Sequence, residues 1–215
     1  MKKFEVLEST AAPFPHANVD TDRIIRIERC ARVAREDLGN WVFETERLNP
    51  DGSPNEAFVL HRPPFRDAQI LVAEDNFGCG SSREMAVWAL TGIGIRCVIA
   101  PSFGEIFFNN CFQNGVLPIR LPPDTVAELL QRLSEQEAAS NEPAPWRVDL
   151  RTCRISTPWH PAIRFDIEPL RREALLEGLD SIGMTLKHAE AIDAYQAQQR
   201  QIMPWVWRQE TSTSR

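Results

Sequence analysis

The residues of this chain best suited to chemistry lie in one run, Gly78-Cys79-Gly80-Ser81-Ser82-Arg83-Glu84. Glycines let the backbone come close to a bound molecule. Arg83 offers a forked, permanent cation that matches a carboxylate, and Ser81 and Ser82 add two hydroxyls. A helix opening at this point would turn free N–H groups and the positive end of its dipole toward an anion. These are the parts of a carboxylate or phosphate site. A plainer reading fits the same residues: Ser81 and Glu84 have the spacing of a capping box, so the serine would serve only its own helix. The run is not a P-loop, because G-x-x-x-x-G-K-[ST] is absent, and it is not a nucleophile elbow, because no Gly-x-Ser-x-Gly occurs.

Other candidates stand around it. Cys79, between two glycines, fits either a nucleophilic thiol or a small side chain in a tight loop. A base for it would have to come from His16, His61, His160 or His188, and spacing ties none of them to it. Asp20 and Asp22, in Asn18-Val-Asp-Thr-Asp, fit either paired acids or metal ligands, or turn residues that bond their own backbone. Cys97 and Cys111 fall in apolar stretches and read as core.

Elements must hold these residues in place. Ala68 to Ala73, Val98 to Ala100 and Val116 to Leu121 read as short buried strands, and Ile24, Ile25 and Ile27 as a β-rich patch. Ser81/Glu84, Ser102/Glu105 and Thr125/Glu128 each read as a capping box that opens a helix, and Gly115 reads as a C-cap. Strands alternating with helices predict a parallel sheet, with ligand chemistry in the loops at the strands' carboxyl ends. A polar, proline-bearing linker over 138–146 divides an α/β core, 1–137, from an extension, 138–215. In that extension Arg147 to Ser156 and Ala162 to Ile167 read as a hairpin, with a helix from about Leu186 to Gln201.

Composition narrows the function. With 215 residues, 43% of them hydrophobic, the chain can bury a sizeable core without a staple. Its net charge is −6, from 24 basic and 30 acidic residues, which argues against nucleic acid as a partner. No run approaches a membrane span, and residues 1–8 lack the apolar stretch of a signal peptide, so the expected setting is the cytoplasm. The five cysteines are scattered, with no C-x-x-C, so neither a disulfide framework nor a metal site within this chain is expected.

Four segments in order make the sequence recognisable: Asn18-Val-Asp-Thr-Asp-Arg-Ile-Ile25, Ile70 through Glu84, Val98 through Phe107, and Asn110-Cys-Phe-Gln-Asn-Gly-Val-Leu-Pro-Ile119. Together they resemble the small-subunit family of bacterial 3-isopropylmalate dehydratases, the counterpart of the swivelling domain of aconitase-type enzymes. Leu179 through His188 resembles the longer bacterial form. The resemblance implies an aconitase swivel-domain-like β/β/α fold: a mainly parallel sheet flanked by helices, with a C-terminal strand and helix appendage. It implies a large-subunit partner carrying a 4Fe–4S cluster, with no cofactor on this chain. The implied substrate is a hydroxy-dicarboxylate, dehydrated and rehydrated in leucine biosynthesis. Carried over, Ser81 is the base, Arg83 binds a substrate carboxylate, Ser82 and Gly80 help hold it, and Asp20 and Asp22 support the loop. One departure stands out: Arg26 occupies the position after Ile24-Ile25 where the family usually has proline. It would border the substrate's side group, and it leaves open a sister hydro-lyase acting on methylmalate/citraconate, homoaconitate or a dimethylmaleate-like acid. A non-catalytic carboxylate-binding module is the alternative of a different class.

Overall fold

The computed structural model describes residues 1–139 and 144–207. Its frame is a parallel sheet of β2 (Ala11–Phe14), β3 (Ile70–Ala73), β4 (Cys97–Ala100) and β5 (Leu117–Arg120), in that order. β1 (Val6–Ser9) belongs to a second, antiparallel sheet with β6 (Trp146–Asp149), β7 (Arg154–Ser156) and β8 (Ile163–Arg164). The longer helices are α4 (Glu84–Gly92), α5 (Glu105–Gln113), α6 (Pro123–Ala139), α7 (Pro169–Glu177) and α9 (Ala189–Ile202). Short ones are α1 (Thr21–Ile24), α2 (Ile27–Cys30), α3 (Glu44–Arg47) and α8 (Ser181–Leu186).

The parallel strands are apolar at every position but Arg120, the exposed last residue of β5, because both faces are covered. Leu71, Ala73, Val98 and Ala100 pack with Ala86, Leu90 and Phe107 of α4 and α5. Ile70, Val72, Cys97 and Ile99 pack on the other side with Leu129 and Leu133 of α6 and with Trp146 and Val148 of β6. Pro13 and Pro118 sit in β2 and β5, the two edge strands, where a missing N–H is tolerated.

The α/β class and the parallel sheet agree with the sequence reading; several local expectations do not. Ile24, Ile25 and Ile27 are not a strand. Asp20 accepts from the Arg23 N–H and opens α1 instead. None of the three capping boxes forms as read. α4 starts at Glu84 with Arg83 at its N-cap, α5 starts at Glu105 with Gly104 at its N-cap, and Thr125 lies inside α6. Residues 147–156 are themselves a hairpin, β6 and β7, and β8 makes a third strand. The helix expected from about Leu186 to Gln201 is α9, and α8, before it, was not read from the sequence.

Compact packing divides the chain at Asp180/Ser181 rather than at the 137/138 boundary read from composition, because β6 pairs with β1. The expected linker begins inside α6, and positions 140–143 lie outside the described residues. The unit from Ser181 onward consists of α8, α9 and a turn at Pro204–Val206, with Arg200 over the Trp207 ring.

Candidate active site

Three loops leave the carboxyl ends of β2, β3 and β4 and are laced together. The first two meet where the Val19 carbonyl accepts from the N–H groups of Gly78 and Cys79, at 2.7 and 3.1 Å, and the Thr21 N–H donates to the Cys79 carbonyl at 2.9 Å. The third joins through Phe77 N–H to the Ser102 carbonyl at 3.1 Å and Gly104 N–H to the Phe77 carbonyl at 2.9 Å. Asn76 Nδ2 donates to Asn18 Oδ1 at 2.8 Å. Gly78 is at φ +72, and a Cβ there would fall 2.2 Å from the Phe107 ring, so only glycine fits. Gly80, at φ +88, turns the chain into Ser81.

The result presents Ser81 and Ser82 to solvent on a braced turn. Thr21, buried, donates its hydroxyl to the Ser81 carbonyl at 3.0 Å, and the Arg83 N–H donates to the same oxygen at 2.9 Å. The backbone of Ser81 is therefore fixed while its hydroxyl is not spent on the helix. The cap reading fails, because Ser81 stands two residues before the N-cap and α4 has no side-chain cap.

Arg83 is largely covered, with 14% of its side chain exposed. Nη1 donates to Asp22 Oδ1 at 2.5 Å and to the Ile25 carbonyl at 3.4 Å. Among the described residues its Nε and Nη2 donors have no hydrogen-bond partner, which leaves them for a ligand carboxylate. The Arg83 hydrogen bond holds the Asp22 carboxyl below its ordinary value, and the Ile27 N–H adds to this at 3.2 Å. Asp20 and Asp22 thus part company: Asp20 caps α1 and Asp22 orients Arg83. Arg26 is engaged by Glu28 and Glu44, each at 3.3 Å.

Cys79 does not look like a nucleophile. Burial, then Asp20, push its thiol up, the reverse of what an activated thiolate needs. Burial pushes the thiols of Cys97 and Cys111 up still further. Among the described residues no three His, Cys, Asp or Glu side chains gather where they could hold a metal ion. A cavity of about 980 Å³ lies elsewhere, between Phe108, Arg120 and Phe165, and Ser81 does not line it.

Two positions, Thr21 and Asn114, were not singled out from sequence, and Ser102 was read there only as a helix cap. Thr21 was legible only as part of a polar turn, and its burial beside Gly80 is tertiary. Ser102 accepts from the Asn76 N–H at 2.9 Å and donates to Asp75, binding the second loop to the third. Asn114 donates to Glu84 at 2.9 Å and accepts from Trp88 Nε1 at 2.9 Å, tying the end of α5 to the start of α4. No local signal marks such long-range partners.

Comparison with known proteins bears on the family and the fold. Residues 1–124 match the family model for the aconitase C-terminal domain, and residues 181–207 match that for the C-terminal domain of the 3-isopropylmalate dehydratase small subunit. A 3-isopropylmalate dehydratase small subunit of Gluconacetobacter diazotrophicus is 50% identical over 205 residues, covering 95% of this chain and 97% of that one. The one of Paracoccus denitrificans is 48% identical over 206 residues, covering 96% and 100%. Among solved structures, a 3-isopropylmalate dehydratase of Methanocaldococcus jannaschii superposes with a TM-score of 0.61 at 26% identity, covering 89% of this chain and 99% of that one. The chain belongs to the 3-isopropylmalate dehydratase small-subunit family, with the α/β fold of the aconitase C-terminal domain.

Proposed function

We propose that this chain is the small subunit of a hydro-lyase that interconverts 2-isopropylmalate and 3-isopropylmalate in leucine biosynthesis, in the cytoplasm, and that its site is completed by a large subunit. The observation that supports it most is the exposed Ser81 hydroxyl on a braced turn beside an arginine with two unspent donors. Such a turn holds half of a site. Among the described residues nothing covers Ser81 and Ser82, and a partner surface would exclude water from them.

The chemistry removes water and returns it with the hydroxyl on the neighbouring carbon. A 4Fe–4S cluster, expected in the large subunit, would supply Lewis-acid binding of a substrate carboxylate and hydroxyl. Ser81 Oγ takes the proton from the carbon next to the departing hydroxyl and, on rehydration, delivers it to the carbon that the hydroxyl left. A serine hydroxyl is a feeble base, so its anionic form needs nearby positive charge. The Arg83 guanidinium, and the N–H groups of the first turn of α4, which begins three residues on at Glu84, are the sources this chain offers. Arg83, oriented by Asp22, holds a substrate carboxylate with Nε and Nη2, and Ser82 and the Gly80 turn complete that hold. Charge that builds on the carboxylate during proton removal then meets donors already in place.

The test is a substrate panel on the chain assembled with its cluster-bearing large subunit. Interconversion of the isopropylmalates supports the reading. Turnover of only methylmalate/citraconate, homoaconitate or dimethylmaleate-like acids would move the chain to a sister hydro-lyase. Binding without turnover of any of them would leave only a carboxylate-binding module.

A further inference from the structure

Helix α5, the edge strand β5 and the chain that runs from β8 into α7 surround the cavity of about 980 Å³. Sites for small molecules span about 300 to 1,000 Å³, so this one has room for a bulky occupant. Its apolar wall holds Phe108 and Phe112 of α5, Pro118 of β5 and Phe165, and all but the half-covered Phe108 are buried. Two sets of charges line it as well: Arg120, Arg164 and Arg171, and against them Glu105, Asp166 and Glu168.

The aromatic wall holds guanidinium groups by their faces. Arg120 lies 3.9 Å from the centroid of the Phe108 ring. Arg171 lies 4.8 Å from that of Phe112 and 5.3 Å from that of Phe108, and the two rings meet edge-on at 5.1 Å. Stacking uses the face of a guanidinium and leaves its N–H edge for an oxygen. Arg171 spends part of that edge on Glu168, with Nε donating to Oε2 at 2.9 Å. The other four charges are unspent. Among the described residues Arg120, Arg164, Glu105 and Asp166 make no ion pair and no side-chain hydrogen bond, although both signs line one cavity. A ligand with only a carboxylate would suit the two arginines and meet Glu105 and Asp166 as like charges. A ligand with only an ammonium would suit the acids and meet the arginines. One that carries both, on an apolar body, complements every group.

We propose that this cavity is a binding site for an α-amino acid with a large apolar side chain. Arg120 and Arg164 take its carboxylate, Glu105 and Asp166 take its ammonium, and its side chain lies against Phe108, Pro118 and Phe165. Ser81, Ser82 and Arg83 do not line the cavity, so the site does not depend on the isomerase reading.

The experiment is calorimetric titration of the full chain with three probes. L-Phenylalanine binds one site per chain with a Kd of about 1 mM or tighter. 3-Phenylpropanoate lacks the ammonium and 2-phenylethylamine lacks the carboxylate, and each binds at least about tenfold more weakly. Arg120→Gln and Asp166→Asn, both at exposed positions where folding is not endangered, each weaken L-phenylalanine about tenfold. Asp166→Asn leaves 3-phenylpropanoate no weaker than in wild type, because it removes a like charge. Arg83→Met leaves L-phenylalanine binding unchanged. Absence of L-phenylalanine binding overturns the site. So does unchanged affinity in either cavity variant, and so does loss of binding in Arg83→Met, which would move the ligand to the Ser81 turn. A one-charge probe that binds as tightly as L-phenylalanine, or a weaker 3-phenylpropanoate in Asp166→Asn, overturns the choice of an amino acid.

Discussion

Two strand-to-helix loops lie side by side at the carboxyl end of the parallel sheet, and both carry Ser-x-x-Glu. After β4, Ser102 turns inward, bonding Asp75 and the Asn76 N–H, and so stitches one loop to the other. After β3, Ser81 is exposed, its carbonyl is stitched by Thr21 and the Arg83 N–H, and among the described residues its hydroxyl has no hydrogen-bond partner. Neither caps a helix. The same spacing has been put to two uses, and the partner of the hydroxyl, not the spacing, separates them: a bonded serine builds the frame, and an unbonded one on a rigid turn is available for chemistry.

This contrast can be broken by substitution. The largest effect is expected for Ser81→Ala, which should lower kcat of the assembled enzyme about a thousandfold while moving stability by less than about 0.5 kcal/mol; turnover and thermal unfolding measured on one preparation check both. Gly78→Ala should act on the frame instead. Its Cβ meets the Phe107 ring and its φ is left-handed, so unfolding should show a loss of about 3 kcal/mol or more. Ser102→Ala should cost about 1 to 2 kcal/mol of stability and leave kcat of the folded fraction near wild type, the mirror image of Ser81→Ala.

The smallest and sharpest signal is at Asp22. Its carboxyl should titrate below 3.8 by NMR and move back toward that value in Arg83→Met. A carboxyl depressed in the folded state lends its stability above the unfolded value and loses it as pH falls through the folded one. The Asp22–Arg83 contact should therefore persist at and above pH 3.8 and fail only in stronger acid.

The sequence made the frame legible where burial was uniform. β3, β4 and, up to its exposed end at Arg120, β5 stand out because covered parallel strands carry apolar runs. β2 was missed because Ala11-Ala-Pro-Phe14 lacks branched residues and holds a proline, which an edge strand accepts. Ile24, Ile25 and Ile27 have strand-like composition, but the Asp20 cap opens a short helix that ends at Ile24, Ile25 is extended, and Ile27 starts a second short helix. At the site, the Gly-Ser-Ser-Arg run was visible because its residue types and order are local. The orientation of Arg83 by Asp22, 61 residues away, and the work of Thr21, Ser102 and Asn114 depend on where three loops meet, which local spacing does not encode.

The division of labour between the two serines is tested most directly by one paired measurement. Wild type, Ser81→Ala and Ser102→Ala are each assembled with the cluster-bearing large subunit, the assembled fraction is measured by size-exclusion chromatography, and isopropylmalate turnover is expressed per assembled complex. The account predicts full assembly and a near-total loss of turnover for Ser81→Ala, with turnover per complex close to wild type for Ser102→Ala. Comparable turnover in the two variants, or a Ser81→Ala chain that fails only because it no longer assembles, would contradict it.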